Sequence, residues 1–136
     1  MDKLRLARYH DKMQYILSSF DIVEHLLPEP DEIQTNALYY LLLTAIESAM
    51  DLIAMLVKDL GRVPKGDESN ITTLHNLSII KREVRDELLL CNGLRNVLVH
   101  QYNGIDRVIV LESVPRVNAT LKILIGEVER FLNAHR

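Results

Sequence analysis

The stretch from Asp31 to Leu60 constrains this chain more than any other. Pro28-Glu29-Pro30 stops whatever precedes it, Asp31 can cap a helix N-terminus, and Gly61 sits where a helix C-terminal glycine belongs. A helix of that length is about 45 Å long at 1.5 Å per residue. Its middle, Ala37-Leu38-Tyr39-Tyr40-Leu41-Leu42-Leu43, is apolar nearly all round, and a helix apolar on every side must be buried on every side. In 136 residues the chain has little else to cover it, so one side is expected to lie against a second copy of the protein.

The remaining segments also read as helices. Met13, Ile16, Phe20, Val23 and Leu27 recur at three- and four-residue steps, which predicts a helix from about Asp2 to Leu27. Arg62 to Asn70, with Pro64, Gly66 and Asp67, predicts a surface loop. A short helix from Ile71 to about Leu77 follows, then a long one over Lys81–Gln101 with Val84, Leu88, Cys91, Leu94 and Leu98 as its core stripe, stopped by Asn103-Gly104. The last helical region, Asp106 to about Ala134, contains Pro115, which is expected to kink or split it. Only 5 glycines and 4 prolines leave too few turn residues for a sandwich or barrel. The expectation is an all-α, up-and-down bundle forming one domain over 1–136.

A net charge of −3 gives no global field to attract nucleic acid, so any positive potential that serves RNA must be local. One cysteine, Cys91, excludes an internal disulfide framework and fits a reducing compartment. The charged start Met1-Asp2-Lys3-Leu4-Arg5 is no secretory signal, and the apolar run from Ala37 to Ile46 is broken by Thr44 and followed by Glu47, short of a membrane span. A soluble cytoplasmic protein is expected.

The chemistry gathers at the end of the fourth helix. Lys81, Arg85, Leu88, Asn92, Arg95, Val99 and Tyr102 form a second stripe beside the core one, and Asn96 and His100, four apart, are neighbours on an adjacent strip. A guanidinium, a carboxamide, an imidazole and a phenol therefore stand at one helix end, at the edge of an apolar core. Imidazole, with an ordinary pKa near ~6.5, serves as acid or base at neutral pH. Arginine stays charged and grips phosphate with a planar fork.

The spacing Arg-x4-His in Arg95-Asn96-Val97-Leu98-Val99-His100 resembles the signature of the HEPN superfamily of helical ribonucleases. Extended to Tyr102 as Arg-Asn-x3-His-x-Tyr, it is similar to the HepT toxin branch, and the likeness of pattern runs from about Asp31 to Arg130. The resemblance implies a HEPN-type bundle, a toxin of a prokaryotic type VII toxin–antitoxin pair, and metal-independent endoribonuclease activity that needs no cofactor. Arg95 and His100 would be catalytic, Asn96 would support them, and Tyr102 would accept AMP from an MntA-like nucleotidyltransferase antitoxin. The substrate would be RNA, tRNA or mRNA. Each chain offers one motif histidine, so a two-fold homodimer that brings two copies of His100 and Arg95 into one cleft is expected.

Simpler readings stand beside these. Arg95 can be a solvated residue near a helix C-terminus, His100 a cap of the last turn, and Tyr102 an anchor for the helix end. Glu47 and Asp51 can orient Arg95 or form a solvated strip. Lys81 and Arg85 can extend a path for RNA or be ordinary surface charges. Tyr39 and Tyr40 read as core or interface. His10, His25, His75 and His135 show no metal-ligand spacing, and there is no phosphate-binding glycine loop or nucleophile elbow. The alternative function is a non-catalytic HEPN module that binds a nucleotide or partner beside a nucleotidyltransferase; a structural helical adaptor is a further one.

Overall fold

A computed structural model describes residues 1–100 and 104–135. Five helices occur, α1 (Lys3–Leu26), α2 (Glu32–Asp59), α3 (Asp67–Asn76), α4 (Arg82–His100) and α5 (Arg107–Ala134), and the described residues contain no strand.

The boundaries follow from local chemistry. Asp2 caps α1, its carboxylate accepting from the Leu4 and Arg5 N–H groups at 2.7 and 3.0 Å. Asp31 and Gln34 form a reciprocal capping box at the start of α2, at 2.8 and 3.0 Å. At its end Gly61 takes φ +82°, and the N–H groups of Gly61 and Arg62 bond back to Lys58 and Val57 carbonyls, both at 3.0 Å. This is the Schellman arrangement, and it needs the left-handed conformation that glycine adopts without strain.

Two boundaries differ from the sequence reading. α3 starts at Asp67, inside the expected loop. Asp67 and Glu68 favour a helix N-terminus, and the buried Asn70 side chain ties the entry together by bonding both Lys65 N (2.7 Å) and Lys65 O (3.1 Å). Pro115 does not split α5, which runs unbroken for 28 residues. The ring sits on the exposed side, while Val114 and Val117 are buried and Arg116 holds Glu87 of α4 with two bonds of 2.7 and 2.8 Å. Losing one backbone bond is offset by flanking residues that remain anchored.

α2 is the hub, packed against α1, α3, α4 and α5. By length and apolar composition it could cross a membrane, against the sequence reading, which ended the apolar run at Ile46, before Glu47. Most of it is buried inside the bundle, as in the core helix of a globular protein. Burial is not complete on every side, however. Ile33, Ala37 and Tyr40 are exposed, Ile33 at 81% and Tyr40 at 61%.

At the far end of α2 the packing closes tightly. Asp59 takes Arg5 Nε at 3.0 Å and the Tyr9 hydroxyl at 2.6 Å, and Arg5 also reaches the Met55 carbonyl at 3.2 Å. Tyr9 is fully buried. Its pKa is pushed far above the ordinary phenol value, first by burial and then by its bond to Asp59.

Candidate functional site

Along α2, Ile33, Ala37, Tyr40, Thr44, Glu47 and Asp51 recur at four- and three-residue steps and so share one face. This face is open or half-open from end to end. α4 borders it on one side, where Arg95 Nη2 donates to Glu47 Oε2 at 3.4 Å. α1 borders it on the other, where the Tyr15 hydroxyl meets Thr44 Oγ1 at 2.7 Å and Lys12 Nζ meets Asp51 Oδ2 at 2.8 Å.

Arg95 is half-buried and also donates to Asn96 Oδ1 at 3.1 Å. The guanidinium is thus held at two points while part of it faces outward. Of the two carboxylates that sequence placed opposite the motif helix, Glu47 meets Arg95 and Asp51 is taken by Lys12. The sequence reading favoured a solvated strip for both. Both side chains are solvated, Asp51 at 56% and Glu47 at 45%, and each also carries a cation brought by α1 or α4.

Asn96 and His100 are both exposed, one helical turn apart. Arg95 and His100 do not meet within one chain. Five residues along a helix rotate a side chain by about 140°, so the two leave α4 in different directions. The expected convergence of these groups is therefore partial: Arg95 joins Asn96 and Glu47, and His100 stands beyond them. Asn92, one turn before Arg95 on the same stripe, is buried, and its carboxamide oxygen lacks a partner among the described residues. Tyr102, the expected AMP acceptor, lies outside the described residues, as do Gln101 and Asn103.

Lys81 and Arg85 do not join this site. Arg85 lies about 15 Å back along α4 from Arg95 and pairs with the adjacent Asp86 at 2.9 Å. Lys81 precedes α4 and lines a different cavity with His75, Glu127 and Arg130. Among the described residues no group of three or more His, Cys, Asp or Glu side chains is placed to hold a metal ion. Cys91 is buried, and burial, aided by nearby Glu87, pushes its thiol up to about 12, so it is no nucleophile at neutral pH. What sequence reasoning missed is the α1 side of the site. Arg8, Lys12 and Tyr15 share a face at four- and three-residue steps, and they line a groove with Thr44, Glu47 and Asp51. The spacing signal was present, but only the packing of α1 on α2 gives it a location.

An all-helical bundle carrying a half-buried arginine and an exposed histidine in Arg-x4-His spacing is what the resemblance to the helical HEPN domains implies. A family model described as "Ribonuclease HepT-like" matches residues 8–128, and the chain belongs to that family. Two Archaeoglobus fulgidus proteins, each carrying the name "Putative RNase", are similar to it. One is 45% identical over 129 residues, 95% of this chain and 96% of the relative. The other is 36% identical over 104 residues, 76% and 77% of the two chains. Among solved structures, an AMPylated HEPN toxin of Shewanella oneidensis in complex with its MNT antitoxin superposes with a TM-score of 0.83 at 18% identity, covering 96% of this chain and 99% of that one. The Bacillus subtilis cytosolic protein YutE, of unknown function, gives 0.75 at 19% identity, covering 93% and 92%. At these identities the structural matches speak for the fold.

Proposed function

We propose that this chain, as a single HEPN domain over 1–136, is the toxin of a HepT/MntA-type pair: a metal-independent endoribonuclease with a composite site at a two-fold dimer seam. The observation that carries the reading is the placement of Arg95. It is fixed on an open face by Glu47 and Asn96, and His100 is exposed a turn beyond.

The residues suit cleavage by the RNA's own 2′-hydroxyl. An imidazole takes the 2′-OH proton as O2′ bonds to phosphorus, and a second, protonated imidazole delivers a proton to the departing 5′-oxygen. The guanidinium offsets charge on the phosphorane. One chain supplies a single motif histidine, pointing away from its own Arg95. A second copy would supply the other pair, since an isologous interface sets like residues together. The exposed Ile33, Ala37 and Tyr40, on the same face of α2 as Glu47, are the apolar surface such a copy would cover.

Inactivation is assigned to Tyr102. An AMP group added there by a cognate nucleotidyltransferase would compete for Arg95 and repel RNA phosphate. Structural neighbours are toxins solved with such antitoxins, which supports the partner class.

The test is RNA cleavage with EDTA present. Wild type should cut, and His100→Ala and Arg95→Ala should not. In co-refolded mixtures of wild type with His100→Ala, activity should fall as the square of the wild-type fraction, because a mixed dimer keeps one imidazole; a linear fall would count against the composite site. Wild type that fails to cut, with intact mass excluding an adenylate, would point to a non-catalytic binding module. Tyr102→Phe should keep cleavage and escape neutralisation by the antitoxin.

A further inference from the structure

We infer that the groove between α1 and α2 is a nucleotide subsite of this same centre, stacking one base on Tyr15 and holding a neighbouring phosphate at Arg8. The inference rests on the ribonuclease reading and adds where the substrate strand runs and which bases it favours.

The open groove offers about 520 Å³, room for a nucleobase and its sugar. It opens directly beside Arg95, because Glu47 both lines it and accepts from Arg95 at 3.4 Å. A strand whose scissile phosphate meets Arg95 therefore passes over Glu47 into the groove. The Tyr15 ring is pinned at its hydroxyl by Thr44 at 2.7 Å yet remains 41% exposed. An aromatic ring fixed in place and left open costs little entropy to stack upon, and stacking is how proteins hold single-stranded bases. Arg8 lies seven residues away on the same face of α1, about 10 Å along the axis. It is exposed and makes no ion pair among the described residues.

The groove is lined by two cations, Arg8 and Lys12, and three carboxylates, Asp11, Glu47 and Asp51, so it offers selectivity through individual contacts rather than bulk attraction for phosphate. Lys12 is engaged by Asp51 Oδ2 at 2.8 Å, leaving the carboxylate's other oxygen without a side-chain partner among the described residues. A carboxylate accepts hydrogen bonds from base amino groups. Adenine, cytosine and guanine offer one, and uracil does not. The groove therefore favours an amino-bearing base next to the cleaved bond.

The experiment uses unmodified full-length protein and short single-stranded RNAs that differ in one nucleotide beside the scissile bond. Wild type should cut best where that base carries an amino group. Tyr15→Ala should raise KM about tenfold with a smaller change in kcat, and Tyr15→Phe, which keeps the ring, should restore most of the affinity. Asp51→Asn should flatten the base preference. Arg8→Gln should raise KM and reduce its salt dependence. Thermal unfolding of each variant controls for folding. An unchanged KM in Tyr15→Ala, or an equal loss in Tyr15→Phe, overturns the subsite while leaving the ribonuclease reading intact. If wild type cuts tRNA but none of these RNAs, the subsite falls alone; if it cuts neither, the ribonuclease reading falls and the subsite with it.

Discussion

α2 carries two carboxylate–arginine pairs, one near its middle and one at its end, and they differ in how finished they are. At Asp59 every partner is in place: Arg5 by two nitrogens, the Tyr9 hydroxyl at 2.6 Å, and a backbone carbonyl completing Arg5. At Glu47 one long contact of 3.4 Å holds Arg95, and the Glu47 side chain is 45% exposed. The first cluster makes three bonds from Arg5 and uses both Asp59 oxygens inside the fold; the second makes two bonds from Arg95 and uses one Glu47 oxygen. Residue type alone does not separate structure from function here. Saturation does.

The largest effect that sharpens this contrast is on chemistry. Arg95→Ala should lower metal-free RNA cleavage by about 10²- to 10⁴-fold while moving the urea midpoint little. If it unfolds the protein instead, the open pair is structural and the contrast is lost. Next comes Asp59→Ala, which strands a buried phenol and a half-buried guanidinium. It should cost about 2 kcal/mol in urea unfolding, with per-molecule cleavage retained in the folded fraction. Glu47→Gln should fall between: stability within about 0.5 kcal/mol of wild type, as for an exposed pair, and cleavage down about tenfold because Arg95 is less well placed. A Glu47 variant as destabilising as Asp59→Ala would erase the difference between the two sites.

The smallest effect is alkaline. Tyr9 and Cys91 both hold their protons more tightly in the folded chain than their ordinary values of 10.0 and 9.0, chiefly through burial, Cys91 up to about 12. Their contribution is complete below those ordinary values and is lost as pH rises through the folded ones. Unfolding midpoints should therefore drop above about pH 9, and Tyr9→Phe should remove part of the drop. A flat profile would mean that the closed end of α2 is more hydrated than its geometry indicates.

Much of this was legible in the sequence. The α1 face of Met13, Ile16, Phe20 and Val23 and the α4 stripe of Leu88, Cys91 and Leu98 are buried as their periodicity predicts, because a repeat matching the helix period can hide only one way. The Arg95–Asn96–His100 group was legible as a motif. Three things were not. Pro115 looked disruptive because local propensity cannot see the anchors at Val114, Arg116 and Val117. α3 began early because Asn70 reads as a loop residue until its side chain is seen holding Lys65. The partners of Glu47 and Asp51 depended on which helices flank α2, a fact of topology that periodicity along one helix does not encode.

The hub position of α2 has a consequence for how the molecule breathes. Amide protons exchange with solvent when their helix opens, and the helix packed on all the others is the last to do so. In a deuterium-exchange time course α2 should be the slow clock of the bundle, and the end of α4 beyond Arg95 should run fast. Glu47 is thus mounted on the most persistent element and His100 on the last turn of α4, where a helix opens first, so the geometry at the guanidinium is set before substrate arrives and the imidazole is the part left to adjust.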